Sequence, residues 1–479
     1  MGTKLIGRER EIEQLDKCMS SPKSEFVVLY GRRRVGKTYL VRSYFKNRFA
    51  FSYTGVRDFN KAQQLANFAK ALQTYGGLEC RPVLSDWIAA FDMLEQMLEH
   101  DATVGKKVVF LDEMPWIDSQ KSDFVAALEN FWNGWAAHRA DIVLIACGSA
   151  TSWIVDKLLH NKGGLFNRTT RHLYLRPFTL AEVENYFNSY GFEWDRRQIA
   201  LCYMILGGVP FYLTMLDAAK SLAQNVDALF FSGMNAPLRV EYDELFTSLF
   251  NAPEGYINVV KALSKHREGL TRSRISELTS IAGERLTKIL RDLERCDFTF
   301  SSIRFGNKTN NAIYRIKDFY SLFFYRFVDG VNISQPHYWS QMQETPQVNA
   351  WQGLSFELLC LLHVEPIKRR LGLNVIRTAV STWRSKLPDS NAQIDLVIER
   401  ADRVINLCEI KFSNNIYSIT KDYAKRLLER KSQFVAETAT RYATQLTMIT
   451  TYGVLPGKHA SIVSSQVVLD DLFVESDAL

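Results

Sequence analysis

An eight-residue run rich in glycine and arginine carries the clearest chemical signal in the chain. Its residues are Gly31, Arg32, Arg33, Arg34, Val35, Gly36, Lys37 and Thr38. The run follows an apolar stretch, 26–30, and matches the phosphate-loop pattern Gly-x-x-x-x-Gly-Lys-Thr. Its glycines let the backbone curl until successive N–H groups face a phosphate. Lys37 is then expected to contact the β and γ phosphates and Thr38 to bind Mg²⁺, so the run predicts a bound nucleoside triphosphate rather than an incidental turn.

A second apolar run, 108–111, ends in two adjacent carboxylates, Asp112 and Glu113. Ligands bind at the carboxyl edge of parallel sheets, which is where such a strand would place them. Asp112 is suited to hold magnesium through a water molecule, and Glu113 to orient the water that attacks the γ phosphate. Two exposed acids after a core strand would be unremarkable alone, but beside a phosphate loop they predict ATP hydrolysis.

A third apolar strand, 141–147, leads to a small hydroxyl residue, Ser149, which we expect to sense the γ phosphate. Further along, Arg168 is a candidate arginine finger that stabilises transition-state charge, acting on a neighbouring subunit if the chain forms a homo-oligomer. An ordinary solvated arginine explains Arg168 almost equally well.

Several short segments together resemble the archaeal-type ATPases, which are close to the AAA+ and STAND ATPases of the ASCE class. They are the Gly7-Arg8 pair within 5–11, the Asp112-Glu113 strand, and the Gly-Gly-Val-Pro segment that ends at Pro210. The resemblance implies an α/β P-loop domain with ATP as ligand and Gly7 and Arg8 beside the adenine. It also implies that Pro210 begins a helix of a small lid packed over the nucleotide.

Near the other end of the chain, two apolar stretches, 393–398 and 404–412, predict a β-hairpin that carries charged residues. Side chains alternate along a strand, so Glu409 and Lys411 share one face. If Asp395 lies across from them, two carboxylates and an ammonium group converge. These groups suit a site that holds magnesium and stabilises a phosphate undergoing attack.

The order Asp395, then Glu409-x-Lys411, with Glu357 on a preceding helix at 351–363, resembles the restriction-endonuclease-like superfamily. The resemblance implies that Asp395, Glu409 and Glu357 bind Mg²⁺ and that Lys411 assists cleavage of DNA. An acid and a lysine two residues apart are common on exposed strands. A domain that binds nucleic acid or protein without cleaving it therefore remains the alternative.

Between these two regions, the pattern over 256–316 predicts a helix-turn-helix with a wing, whose strands would span 298–305 and 311–316. The presumed recognition helix, 284–295, mixes basic and acidic residues, so DNA reading and protein docking are about equally supported. A later helix, 419–434, is more basic than acidic and could follow a phosphate backbone or simply face solvent.

The length of 479 residues predicts several domains. We expect a P-loop ATPase domain at 1–178, a helical lid at 179–235, a winged helix at 236–330 and a restriction-endonuclease-like α/β domain at 331–479. The net charge of +7 permits DNA as a partner without requiring it. Seven scattered cysteines without a Cys-x-x-Cys pair argue against a disulfide framework or a structural zinc site. With no long apolar run, the sequence predicts a cytoplasmic protein that does not enter membranes.

Overall fold

The computed structural model describes residues 5–119, 122–149, 151–160, 164–165, 167–250, 252–307, 312–331 and 337–474. The chain divides into two compact units, Met1–Pro177 and Phe178–Leu479. Within the described ranges, none of the helices combines the length and the apolar character that crossing a bilayer requires.

The first unit is built on a five-stranded sheet in which every neighbouring pair is parallel. Its strands are β1 (Glu25–Tyr30), β2 (Phe51–Thr54), β3 (Lys107–Asp112), β4 (Ile142–Gly148) and β5 (Arg171–Tyr174). They lie in the order β2-β3-β4-β1-β5, so β1 is flanked on both sides. The central strands are apolar at almost every position because helices cover both faces of the sheet.

The helices of this unit pack as two layers on the sheet. They are α1 (Glu9–Met19), α2 (Lys37–Tyr44), α3 (Lys61–Gly76), α4 (Trp87–His100), α5 (Met114–Ile117), α6 (Phe124–Gly134) and α7 (Thr151–Ile154). Phe26 and Val28 point into the core formed with α3, α4 and α6, whereas Val27 and Leu29 point into the core formed with α1 and α2. This alternation follows from the period of two along a strand and fixes β1, and hence the loop that follows it.

The second unit begins with a group of helices. They are α8 (Leu180–Ser189), α9 (Arg196–Leu206), α10 (Pro210–Leu213), α11 (Leu222–Val226) and α12 (Pro237–Thr247). Thr179 and Asp195 start α8 and α9 with capping boxes, in which the N-cap side chain and the third helical residue bond each other's backbone N–H groups. Gly207, with φ +66, ends α9, as the Gly-Gly signal indicates.

The next part of this unit combines helices with short strands. They are α13 (Glu254–Ser264), β6 (Leu270–Thr271), α14 (Arg272–Thr279), α15 (Gly283–Arg295), β7 (Thr299–Ser302) and β8 (Ile313–Ile316). The strands form an antiparallel sheet of order β6-β8-β7. The strand expected over 298–305 is confined to β7, and Asn311 lies outside the described residues. A short aromatic helix, α16 (Phe319–Phe323), follows and is buried.

The C-terminal part carries a separate five-stranded mixed sheet. Its elements are α17 (Tyr338–Met342), α18 (Pro346–Leu362), α19 (Val364–Arg370), β9 (Thr378–Arg384), β10 (Gln393–Arg400), β11 (Val404–Lys411), α20 (Lys421–Thr438), β12 (Ala443–Thr450) and β13 (Ser465–Val468). The order is β13-β12-β11-β10-β9, with antiparallel pairing from β9 to β11 and parallel pairing from β11 to β13. Leu427 and Phe434 of α20 pack on one face of this sheet.

Two details of this sheet differ from the sequence prediction. The sequence over 460–469 also predicts a strand, but a short 3₁₀ turn, Ala460–Ile462, comes first and only β13 is extended. β9 has no counterpart in the prediction, because four of its seven positions are Thr, Ser or Arg and its burial is uneven. It is recruited by pairing with β10, a tertiary influence that the local pattern does not contain.

Candidate functional sites

The phosphate loop lies at the carboxyl end of the central strand β1, as its sequence predicts. Gly31 has φ +145, and a β-carbon there would lie 2.2 Å from the Leu175 carbonyl oxygen, so only glycine fits. The Lys37 ammonium is buried and donates to the carbonyl oxygens of Gly31 and Arg32 at 3.0 and 2.9 Å. Lys37 is thus held across the loop, where an incoming phosphate would offer it negatively charged acceptors instead.

The two predicted magnesium ligands of this site are in contact. Thr38, in the first turn of α2, donates its hydroxyl to Asp112 Oδ2 at 2.8 Å. Asp112, the last residue of β3, is almost fully buried, and its second oxygen accepts the Glu113 backbone N–H at 3.0 Å. Both side chains offer hard oxygen ligands, so the pair fits Mg²⁺ in kind. Cys147 lies beside them, and burial, with the Asp112 charge next, raises the pKa of its thiol well above the ordinary value.

The structure also joins the proposed catalytic glutamate to the proposed sensor. Glu113 does not extend β3 but turns into the left-handed region, with φ 47. Ser149, just beyond β4, donates its hydroxyl to Glu113 Oε2 at 2.8 Å and its backbone N–H to the same oxygen at 3.2 Å. Since β3 and β4 are parallel neighbours, their carboxyl ends bring these two residues together. Glu113 is therefore held by Ser149, whose role as a sensor of the γ phosphate stays a prediction.

The remaining predicted residues of the nucleotide site have different placements. Gly7 and Arg8 both have positive φ, and Arg8 Nη2 donates to the Val35 carbonyl at 3.2 Å, which places Arg8 against the phosphate loop. Pro210 begins α10 in the second unit, and its role beside the nucleotide stays a prediction.

Arg168 is not at the phosphate edge of its own chain. It lies in an exposed turn just before β5, and the next residue but one, Thr170, exchanges hydrogen bonds with Phe26 near the start of β1. The amino ends of parallel strands lie opposite the edge that carries the phosphate loop. This position favours action on a neighbouring subunit, and the finger role of Arg168 stays a prediction.

In the second unit, the hairpin predicted from the sequence brings Asp395, Glu409 and Lys411 together. Leu396 pairs with Cys408 across antiparallel β10 and β11, which places Asp395 opposite Glu409. Asp395 Oδ2 accepts the Ile410 backbone N–H at 3.1 Å. Burial, and then the charges of Glu409 and Glu357, raise the pKa of Asp395 to about 7.

Glu409 lies at the centre of a fully bonded network. Its Oε1 lies 2.8 Å from the Lys411 ammonium and accepts the Tyr423 hydroxyl at 2.6 Å, while Oε2 accepts Arg430 Nη1 at 2.8 Å. Burial acts to raise the pKa of Glu409, but Lys411 and Arg430 outweigh it, so the pKa lies below its ordinary value. Burial would lower the pKa of Lys411, yet the facing Glu409 raises it. Both groups are thus charged at neutral pH.

Glu357, on α18, is the third carboxylate of the cluster. Its two oxygens accept Arg267 Nη2, although burial still raises its pKa. Among the described residues, no group of three or more His, Cys, Asp or Glu side chains is arranged to hold a metal ion. The carboxylates match Mg²⁺ in kind, but Glu357 and Glu409 already face cations. A metal would have to replace some of these contacts.

Arg430, Tyr423 and Arg267 complete the cluster and were not assigned to it from the sequence. Arg430 belongs to the basic helix predicted over 419–434, but its guanidinium turns inward to Glu409 and not toward solvent. The spacing along α20 could have indicated this inward orientation. Arg430 is two helical turns from Tyr423, on the helix face that buries Leu427 and Phe434. Arg267 is 90 residues from Glu357 in the chain, and no local pattern connects them.

Comparison with known proteins agrees with the geometry of the first unit. Residues 5–216 match a family described as an ATPase domain predominantly from Archaea. An uncharacterised protein of Methanocaldococcus jannaschii is 24% identical over 330 residues, covering 67% of this chain and 68% of the relative. An uncharacterised ATP-binding protein of the same organism is 40% identical over 43 residues, covering 9% of this chain and 73% of the relative.

Solved structures show weaker likeness. The Walker-type ATPase PABY2304 of Pyrococcus abyssi is 16% identical, covering 67% of this chain and 96% of that one, with a TM-score of 0.49. The ORC2 protein of Aeropyrum pernix, solved with ADPNP and ADP, is 14% identical, covering 76% and 98%, with a TM-score of 0.41. The phosphate loop, its acidic strand and the family match together identify residues 5–216 as a P-loop ATPase domain of the archaeal type.

Proposed function

We propose that this chain couples ATP hydrolysis in its first unit to a magnesium-dependent DNA nuclease site in its second. The observation that carries the nuclease half is the convergence of Asp395, Glu409 and Lys411 on adjoining strands of the C-terminal sheet. Three charged groups gathered among buried residues are costly to maintain, which favours a functional reason for their presence. The winged-helix-like elements between 254 and 316 would link or dock the two activities.

For the ATPase half, each residue near the phosphate loop has a separate task. Lys37 would exchange its bonds with the loop carbonyls for bonds to the β and γ phosphates. Thr38 and Asp112 would hold Mg²⁺, which when bound neutralises charge that builds up on the phosphates. Glu113 would orient the attacking water, and Ser149 would hold Glu113 until the γ phosphate arrives.

Replacing Glu113 with glutamine tests this assignment. Glutamine keeps the size of the side chain but is a poor base, so ATP binding should persist while hydrolysis falls by about 100-fold or more. Asp58→Asn is the matched control, since Asp58 is an exposed acid of the same unit. If Glu113→Gln hydrolysed ATP as fast as the Asp58→Asn control, Glu113 would not be the base.

For the nuclease half, Asp395 and Glu409 would hold Mg²⁺, with Glu357 as a third ligand. The ion would supply a water of lowered pKa at neutral pH. Lys411 would place its ammonium against the phosphate that is attacked. For this to happen, Glu409 must exchange its contact with Lys411 or Arg430, and Glu357 its contact with Arg267.

A second candidate function follows from that same network. Because Glu409 already has three donors, the cluster is electrically satisfied without a metal. This observation favours a regulatory ATPase whose C-terminal domain binds nucleic acid or protein without cleavage. In that case Glu409 and Lys411 would be structural.

Cleavage assays with point variants separate the two candidates. Wild type, Asp395→Ala and Glu409→Gln would be incubated with Mg²⁺, ATP and linear, circular, single-stranded and duplex DNA. Glu429→Gln, an exposed acid of α20, is the control. The nuclease proposal expects magnesium-dependent cleavage by wild type and the control only. Intact DNA in every reaction, together with robust ATP hydrolysis, would instead favour the regulatory ATPase.

A further inference from the structure

One pocket of the second unit, with a volume of about 460 Å³, contains an unusual group of arginines beside the carboxylate cluster. Arg267, Arg304, Arg315 and Arg384 all line it, and they come from four separate segments between α13 and β9. Asp395 and Glu357 line the same pocket. The guanidinium groups thus share one cavity with the residues proposed to act on a phosphodiester.

Two of these arginines have carboxylate partners and two do not. Arg267 pairs with Glu357, and Arg384 pairs with Glu268. Over the described ranges, no carboxylate lies within 4.0 Å of Arg304 or Arg315. Burial lowers the pKa of Arg315 to about 10, and repulsion from Arg304 is the next largest cause. Burial also lowers the pKa of Arg304, where repulsion from Arg384 is the next largest cause. Within the described ranges, the guanidinium groups of Arg304 and Arg315 therefore line the pocket without a directly paired carboxylate.

Uncharged oxygen atoms and strand pairing, rather than opposite charge, hold these two arginines in place. Arg315 donates Nε to the Glu268 carbonyl at 3.3 Å and Nη2 to Thr382 Oγ1 at 3.4 Å. Gly269 makes room for it, since a β-carbon there would lie 2.6 Å from Arg315 Cγ. Arg304 forms a β-bridge with Thr382 of β9. Burying guanidinium groups without a carboxylate partner costs free energy, and a bound anion would offset that cost by pairing with them.

We propose that this pocket binds the sugar-phosphate backbone of a single nucleic-acid strand, with Arg304 and Arg315 contacting its phosphates next to Asp395. The proposal rests on the proposed role of the C-terminal domain in acting on nucleic acid and names the residues that would bind the strand. A cavity of this volume accommodates roughly one nucleotide, so it suits a single strand better than an intact duplex. Arginine suits the task because its planar fork bonds two phosphate oxygens together.

This site differs from the recognition helix α15, where a winged helix would ordinarily contact DNA. Arg285 and Lys288 of α15 are exposed. They are outside the group that lines the pocket. The two surfaces therefore give distinct predictions for the same ligand and serve as controls for each other.

The test is equilibrium binding of a fluorescein-labelled oligodeoxythymidine, about 20 nucleotides long, to the full chain in EDTA and without ATP. The double variant Arg304→Gln/Arg315→Gln should bind at least about tenfold more weakly than wild type. The slope of log affinity against log salt should fall by about 1.4, which is the loss of two phosphate contacts on a single strand. Arg285→Gln/Lys288→Gln should bind like wild type.

Further measurements keep the outcome clear. Arg304→Lys preserves charge without the planar fork and should give intermediate affinity, and thermal denaturation would confirm that each variant folds. Equal affinity of wild type and the Arg304/Arg315 variant, or a loss confined to the α15 variant, would overturn the proposal. Competition by inorganic phosphate as strong as by unlabelled oligonucleotide would also overturn it, in favour of an isolated-phosphate site. Since EDTA prevents metal-dependent cleavage, failure of the nuclease proposal would leave this result unchanged.

Discussion

Replacing Asp395 with asparagine tests the electrostatics of the carboxylate cluster directly. The pKa of Asp395 is raised from 3.8 to about 7, mainly by burial and then by the neighbouring glutamates. Between about pH 4 and pH 7, the folded protein therefore retains a proton that the unfolded chain has released. The free energy of unfolding falls as the pH rises through this window, and the cost is complete above about pH 7.

The size of the effect follows from the shift. Three pKa units correspond to about 4 kcal/mol, and about half of this develops between pH 5.5 and pH 8. Asparagine carries no charge, so the free energy of unfolding of the Asp395→Asn variant, relative to that of wild type, should rise by about 2 kcal/mol over that interval. Any constant difference, such as an altered hydrogen bond to Ile410, cancels in this comparison. Lys411 and Arg430 can shift toward Asp395 and make the measured value smaller.

Hydrogen exchange of peptides from β10 and β11, corrected for intrinsic rates, gives the local free energy of opening at both pH values. Asp389→Asn, in an exposed loop of the same domain, is the matched control and should follow wild type. A gap between Asp395→Asn and wild type that does not change with pH would refute the assignment of a raised pKa. If magnesium binds here, adding it at pH 8 should protect β10 in wild type but not in the asparagine variant.

Three further predictions concern the nucleotide site. Lys37→Ala should weaken ATP binding by at least about tenfold in calorimetry, because a charged phosphate contact is lost; unchanged affinity would argue against the assigned role. Gly31→Ala should destabilise the first unit by about 3 kcal/mol in chemical denaturation, because the new β-carbon clashes with Leu175 and the φ is unfavourable. Gly36→Ala is the control and should cost about 1 kcal/mol, because a β-carbon there meets nothing within 4 Å. Equal losses of stability would contradict the clash. Ser149→Ala should keep ATP affinity but reduce kcat by about tenfold, since Glu113 loses its orienting donor, and a change in KM alone would count against this.

The nucleotide site was predictable because its signals are local. A buried strand, a glycine loop and a helix follow one another within the 20 residues 25–44. All strands of this sheet are parallel, so the polar residues at their carboxyl ends lie at the same edge. Strand polarity alone therefore places Thr38, Asp112, Glu113 and Ser149 at one edge of the sheet. The Glu113–Ser149 bond needed one further fact, the adjacency of β3 and β4, which the topology supplies.

The C-terminal cluster was predictable only in part, for a physical reason. The period of two along β11 correctly places Glu409 and Lys411 on one face, and hairpin pairing adds Asp395. A strand pattern contains no information about charges that arrive from distant elements. Arg430 reaches Glu409 from α20, and Arg267 reaches Glu357 from the end of α13. The sequence thus predicts where carboxylates gather, but whether a metal binds depends on its displacing the cations that already contact those carboxylates.

Glu357 holds the guanidinium of a pocket arginine, Arg267. A nucleic-acid strand that attracts Arg267 to its phosphate would therefore release Glu357 toward Asp395. Strand binding and metal binding would then favour each other in the same pocket.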